Sequence, residues 1–134
     1  MQFNVHLNFN GKCEEAFAYY ARHLGAKVEV MLKWDDMPGP SQPAMKGKIM
    51  HGRLTIGGTL AMGADSPPAM YKTPQGMTVS MSTETAAEAE RAFAALSDGG
   101  AVSMPLAETF FAHKFGMVTD RYGIPWMVVN PKEM

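Results

Sequence analysis

A strand–helix–glycine unit occurs twice in this sequence with the same internal spacing, and a chain built on such a duplication has few folds open to it. Residues 3–9 alternate, with Phe3, Val5, Leu7 and Phe9 set against Asn4, His6 and Asn8, the period of a strand with one apolar face. Asn10-Gly11 ends it, and residues 12–24 read as a helix that gathers Cys13, Ala16, Phe17, Tyr20 and Leu24 on one side. Glu14 and Glu15 open that helix and Arg22 and His23 close it, matching the helix dipole at both ends. Gly25 fits the residue that follows a helix. The pattern then restarts. Met77, Val79 and Met81 alternate with Thr78, Ser80 and Ser82, and Thr85 with Glu88 fits a capping box. The helix it opens runs to about Leu96, with Ala89, Ala92, Phe93 and Leu96 as its buried stripe and Gly99-Gly100 as its end. Phe3 to Gly25 and Met77 to Gly99 span the same number of positions.

Each copy continues into three further strands. In the first, Lys27 to Leu32 is expected to place Val28, Val30 and Leu32 on one side. Ile49 to Ile56 and Thr59 to Met62 form a hairpin around Gly57-Gly58. In the second, Ala101 to Met104 resumes a strand, and the stretch from Phe110 to Asn130 places two apolar runs around the turn Asp120-Arg121-Tyr122-Gly123. Pro125 cannot donate to a sheet ladder, so it belongs at a strand's start or on an open edge. The sequence thus predicts an α+β domain of two strand–helix–strand–strand–strand modules, at about 1–65 and 76–134, joined by the proline-rich linker 66–75. Helices should cover the apolar sheet faces. The opposite faces, starting with Asn4, His6, Asn8, Thr78, Ser80 and Ser82, would line a cleft between or within the modules. Loop 34–48, with three prolines and two glycines, reads as a lid or a surface excursion.

Composition narrows the function classes. A formal charge of −1 speaks against nucleic-acid binding, which wants a basic excess. The N-terminus has no basic segment followed by an apolar run, and no apolar stretch is long enough for a membrane span. A cytoplasmic location is expected. The single cysteine, Cys13, leaves no internal disulfide and no cysteine-based zinc cluster. The 13 methionines suit an irregular core or an adaptable pocket lining.

Three blocks carry a family resemblance. They are Leu7-Asn8-Phe9-Asn10-Gly11-Lys12-Cys13-Glu14-Glu15-Ala16 with Tyr19-Tyr20 and Leu24-Gly25-Ala26; Ile56-Gly57-Gly58 with Met62 and Asp65; and Glu108-Thr109-Phe110-Phe111-Ala112-His113 through Val118-Thr119-Asp120-Arg121-Tyr122-Gly123-Ile124-Pro125-Trp126-Met127. Over nearly the whole chain these resemble the vicinal oxygen chelate superfamily of glyoxalase I, extradiol dioxygenases and bleomycin-resistance proteins. The details resemble its PhnB-like branch, labelled 3-demethylubiquinone methyltransferase-like. The resemblance implies paired βαβββ modules around a mixed, curved sheet with the helices on one face, assembled as a homodimer. In metal-dependent relatives, His, Gln or Glu from the first and last strands of each module hold a divalent ion. Carried onto this chain, the first-strand positions fall near Asn4 and Gly76 and the last-strand positions near Met62 and Met127. A one-residue slide offers Val5, Ala61, Met77 and Trp126 or Val128. Neither set suits a hard or borderline divalent metal, so no metal and no cofactor are expected. The methyltransferase label lacks its physical basis, because a methyl donor commonly needs a glycine-rich strand-to-helix turn, whereas Gly57-Gly58 falls in a hairpin.

The candidate substrate-binding residues are His6, Asn8, His51, Arg53, Met62, Phe110, His113 and Met127. His6 sits on the polar face of the first strand and can serve as an acid–base group, or simply as a hydrogen-bonded histidine. His51 and Arg53 alternate on one strand face, a row that can hold an anionic group or lie solvated. His113 falls in the resemblance's most specific block. His23 reads as a dipole partner at its helix end, and Trp126 as core. Met62 and Met127 suit an apolar floor. Two readings follow: a binding protein for a small molecule that works without the usual metal, or a metal-dependent lyase, isomerase or dioxygenase using His6 or His113.

Overall fold

The computed structural model describes residues 1–40 and 42–133, leaving Ser41, within the loop 34–48, and Met134 outside the described residues. The chain forms two compact units, Met1–Lys72 and Thr73–Met134. The first contains β1 (Val5–Phe9), α1 (Cys13–Leu24), β2 (Lys27–Lys33), β3 (Ile49–Ile56) and β4 (Thr59–Asp65). The second contains β5 (Val79–Ser82), α2 (Ala86–Ser97), β6 (Ala101–Ala107), β7 (Ala112–Thr119) and β8 (Pro125–Pro131). Strand order is β1-β4-β3-β2 in one four-stranded sheet and β5-β8-β7-β6 in the other. The first strand of each unit runs parallel to its last, and the remaining pairs are antiparallel. Each unit is therefore a βαβββ module, and the duplication read from the sequence is a duplication of structure.

Each helix is held to one face of its own sheet by its apolar stripe. In the first unit Cys13, Ala16, Phe17 and Tyr20 are buried with Leu7, Phe9, Ile49 and Leu54. The Phe9 and Phe17 rings meet edge to face at 6.0 Å, a favoured aromatic geometry. In the second, Ala89, Ala92, Phe93 and Leu96 are buried with Val118, Trp126 and Val128. The Thr85 hydroxyl accepts the Glu88 N–H at 3.1 Å, capping α2 as its sequence predicts. Gly57 and Gly58 both take positive φ, 53° and 83°, which is the two-residue reversal that matches the twist of paired strands.

Several boundaries differ from the sequence reading. β1 starts at Val5, where pairing with Ala61 begins, and Phe3 ahead of it is 90% exposed. β5 likewise starts at Val79, and Met77 is 75% exposed. Period-2 alternation persists beyond the point where a partner strand exists, so it overran in both cases. Val28, Val30 and Leu32 do not share a face. The β2–β3 register shifts between Val28 and Val30, leaving Glu29 as an extra residue. Val28 thus sits beside Leu54 on the helix side, while Val30 and Leu32 sit beside Arg53 and His51 on the other. β4 runs on to Asp65 and β6 on to Ala107. Pro105 is accommodated because it lies in an edge strand at a second register shift, between Met104 and Ala107. Loop 34–48 carries two short 3-10 turns, Trp34–Asp36 and Pro43–Met45.

Candidate functional site

With one face of each sheet under its helix, side chains that point the other way form an open face, and strand register fixes which of them are neighbours. In the first unit one row crosses four strands: His6 on β1, Met62 on β4, Arg53 on β3 and Val30 on β2. The next row contains Asn8 beside Ala64 and His51 beside Leu32. Five sequence candidates, His6, Asn8, His51, Arg53 and Met62, therefore share one face. The result depends on pairings between strands far apart in sequence.

The second unit presents a different chemistry at matching places. Met104, Met117, Met127 and Ser80 form one row across β6, β7, β8 and β5. Ala107, Phe115, Val129 and Ser82 form the next. Met127 is thus on the open face, whereas His113, exposed at the start of β7, is the extra residue at the β7–β8 register shift between Ala112 and Lys114, so pairing does not bring it into either row. Phe110 is elsewhere. It precedes β7 with its ring 91% exposed and set edge-on to Phe111 at 5.2 Å. Arg53 and His51 of the first unit thus correspond to Met117 and Phe115 of the second.

The inherited ligand register needs correction. The first-strand residue beside Met62 is His6, not Asn4, and the one beside Met127 is Ser80, not Gly76. Asn4 lies before β1 and donates its side-chain amide to the Leu60 carbonyl at 3.3 Å. The corrected donor sets are an imidazole with a thioether in one unit and a hydroxyl with a thioether in the other. Neither fits zinc or a hard divalent ion. Among the described residues no three His, Cys, Asp or Glu side chains gather as a metal-binding group.

The polar groups under the helices are architectural. Asp65 is 2% exposed and accepts two backbone N–H groups, from Cys13 at 2.9 Å and Ile49 at 2.8 Å. Asp120 accepts from Tyr122 N and Ile124 N, as a turn aspartate should, and its other oxygen accepts Trp126 Nε1 at 2.8 Å. Trp126 is core, as its sequence context suggests. Sequence reasoning placed Asp65 in a family block but missed this role, whose local signal is an acid closing an apolar strand. Loop residues Trp34, Met37, Pro38 and Gln42 are among those lining a hollow of about 340 Å³, which none of the candidate residues lines.

Cys13 is fully buried, and burial, followed by the nearby carboxylates of Asp65 and Glu14, pushes its thiol from 9.0 up to about 12. The folded protein therefore keeps this proton where the unfolded chain releases it. Stability from this group is intact below pH 9 and is lost between pH 9 and about 12, at up to about 1.4 kcal/mol per pH unit. Urea unfolding at pH 8 and pH 10 should show Cys13→Ala losing less stability over that interval than the parent protein. Equal losses would show that the thiol does not contribute.

Paired βαβββ modules of this kind define the vicinal oxygen chelate fold. The glyoxylase/bleomycin resistance protein/dioxygenase domain from Frankia sp. EAN1pec shares it at a TM-score of 0.66, 14% identity and 98% coverage of both chains. Within that class the chain belongs to the 3-demethylubiquinone-9 3-methyltransferase family, the PhnB-like branch, whose sequence profile matches residues 1–129. It is 33% identical to Protein YjdN of Escherichia coli K12, over 96% of this chain and 94% of that one. Protein PA1353 from Pseudomonas aeruginosa is 46% identical with a TM-score of 0.91, covering 99% of each chain. A putative 3-demethylubiquinone-9 3-methyltransferase, PhnB protein, from Bacillus cereus is 27% identical with a TM-score of 0.84, covering 97% of this chain and 99% of that one. The methyltransferase in the family's name finds no glycine-rich strand-to-helix turn here. The turns into α1 and α2 are Asn10-Gly11-Lys12 and Thr83-Glu84-Thr85, and Gly57-Gly58 closes a hairpin.

Proposed function

We propose that this protein binds a small molecule on the open sheet faces and does so without the divalent metal of its superfamily. The observation that carries this reading is the pair of methionines, Met62 and Met127, at the centre of the two faces, with His6 and Ser80 as their parallel-strand neighbours. Thioethers there supply a polarisable apolar floor and a poor ligand set for a divalent ion. The likeness to its family supports a homodimer, and no helix among the described residues is long and apolar enough to cross a membrane. We place the protein in the cytoplasm.

Native mass spectrometry with elemental analysis, on protein purified without chelator, tests the reading. The expected species is a dimer without stoichiometric metal. One ion per chain would overturn the metal-free reading in favour of a metal-dependent lyase, isomerase or dioxygenase, with His6 and His113 as the first residues to mutate. A mass of 14.6 kDa at all concentrations would remove the dimer.

A further inference from the structure

We infer that the ligand of the first unit's open face is a compact anion, an oxyanion head on a small apolar body, with Arg53 as its principal anchor. This deepens the binding reading above and rests on it. Three observations carry it.

The first is the arrangement of charge. Met62 and Ala64 form an apolar strip along β4, bordered by His6 and Asn8 on β1 and by Arg53 and His51 on β3. Neighbouring strands are about 4.8 Å apart, so the two borders stand roughly 10 Å apart at the backbone. That width suits one ring or a short chain lying over the strip. Arg53 and His51 are separated by roughly 6.7 Å along their strand, close enough for a guanidinium fork and an imidazole to share one head group.

The second is the scarcity of competing negative charge. The four strands contain only two acids, Glu29 and Asp65. Asp65 is buried on the helix side and accepts backbone N–H groups with both oxygens. Glu29, on the edge strand, accepts the hydroxyl of Thr55, which follows Arg53 on the same strand face, at 3.1 Å and stands 4.0 Å from Lys27 Nζ, so it is the one carboxylate of these strands near the anchor and it is already engaged. Among the described residues no carboxylate forms an ion pair with Arg53. An exposed guanidinium with five donors, beside two imidazoles and without a protein counterion, favours an oxyanion in its reach.

The third is the contrast with the duplicated unit. At the positions that match Arg53 and His51 stand Met117 and Phe115, and at the position that matches His6 stands Ser80. The shared scaffold does not require an arginine and histidines at these places, so they are not an architectural necessity.

The test is a titration with phenylphosphonate, benzoate and neutral benzyl alcohol, followed by methionine-methyl and histidine-ring NMR. Met62, His6 and His51 report on the face. The two anions should shift these signals and the alcohol should not. Arg53→Gln should weaken the better anion by about tenfold or more, the loss of one charge-assisted bond. Arg91→Gln, an exposed arginine on α2, should leave binding unchanged. Whichever anion binds more tightly names the head group as phosphonate-like or carboxylate. Binding of benzyl alcohol as tight as that of the anions, or anion binding that survives Arg53→Gln, would overturn the anion inference while leaving the small-molecule reading standing. If no probe moves the Met62, His6 or His51 signals, both fall together.

Discussion

Asp65→Ala should lower the unfolding free energy by about 3–4 kcal/mol, a large share of the roughly 5–15 kcal/mol that a domain holds in reserve. Asp65 ends β4, yet its carboxylate holds two other elements. One oxygen accepts the N–H of Cys13, the first residue of α1, and the other accepts the N–H of Ile49, the first residue of β3. The residue at the helix's own capping position, Lys12, makes no side-chain capping bond, so the aspartate from the end of the sheet takes over that role. A carboxylate there also meets the positive end of the helix dipole. Removing it strands two buried donors at once, and each unsatisfied donor costs its full desolvation penalty. Asp65→Asn keeps one acceptor but turns an NH₂ toward the other N–H, so it should cost about half as much. Urea unfolding followed by circular dichroism reads both values. A loss below about 1 kcal/mol for the alanine variant would mean that water replaces the carboxylate, and that the helix start is tied down by its apolar stripe alone.

The second unit places Asn130, also buried, at the corresponding end of its central strand. Its amide donates to the Thr83 carbonyl at 2.9 Å. The duplicated units thus share a polar tie beneath the helix but differ in its charge. They differ also on their open faces, where Arg53 and His51 in one stand against methionine and phenylalanine in the other. Scaffold and surface chemistry have diverged independently, which is the usual relation between a fold and the sites it carries.

Much of this architecture was legible in the chain. The alternation around Leu7 and Val79, the stripe through Ala16, Phe17 and Tyr20, the cap at Thr85 and the hairpin at Gly57-Gly58 are local signals, and local physics decides them. The aspartate turn at Asp120 and the core position of Trp126 were equally readable. What stayed hidden depends on pairing across long separations. No property of residues 4–8 says that His6, rather than Asn4, lies beside Met62. That follows from the parallel register of β1 on β4, set by the burial of Leu7 and Phe9 beneath α1. The extra residue at Glu29 was invisible for the same reason, since a bulge is a mismatch between two strands and one strand alone does not record it. The role of Asp65 was hidden because its two partners are 52 and 16 residues away.

Gly63→Val should cost about 3 kcal/mol, and most of that cost should vanish when Phe17 is also truncated. Gly63 of β4 and Gly52 of β3 are register partners, and the Phe17 ring lies across both. A Cβ built on Gly63 would stand 2.7 Å from Phe17 Cζ, and one on Gly52 would stand 2.9 Å from Phe17 Cε2. These distances are well inside van der Waals contact, and the ring has nowhere to go, since Phe17 is fully buried and packed against Phe9 and Tyr20. The glycines weaken their strands through lost entropy and missing side chains. In exchange α1 comes close enough to seal the face. The second unit repeats the device, with Gly116 beneath Phe93 at 2.7 Å. Phe17→Ala alone should cost about 3–5 kcal/mol through the cavity it opens. In the double variant the valine grows into that cavity, so the combined loss should fall short of the sum of the single losses by at least about 1 kcal/mol. Chemical unfolding of the four proteins in this cycle measures the coupling. Additive losses would show that the strain of Gly63→Val falls on the backbone near the Leu7 carbonyl, the other close neighbour at 3.3 Å. In that case the glycine pair serves the sheet itself, and the helix above it could be repacked freely.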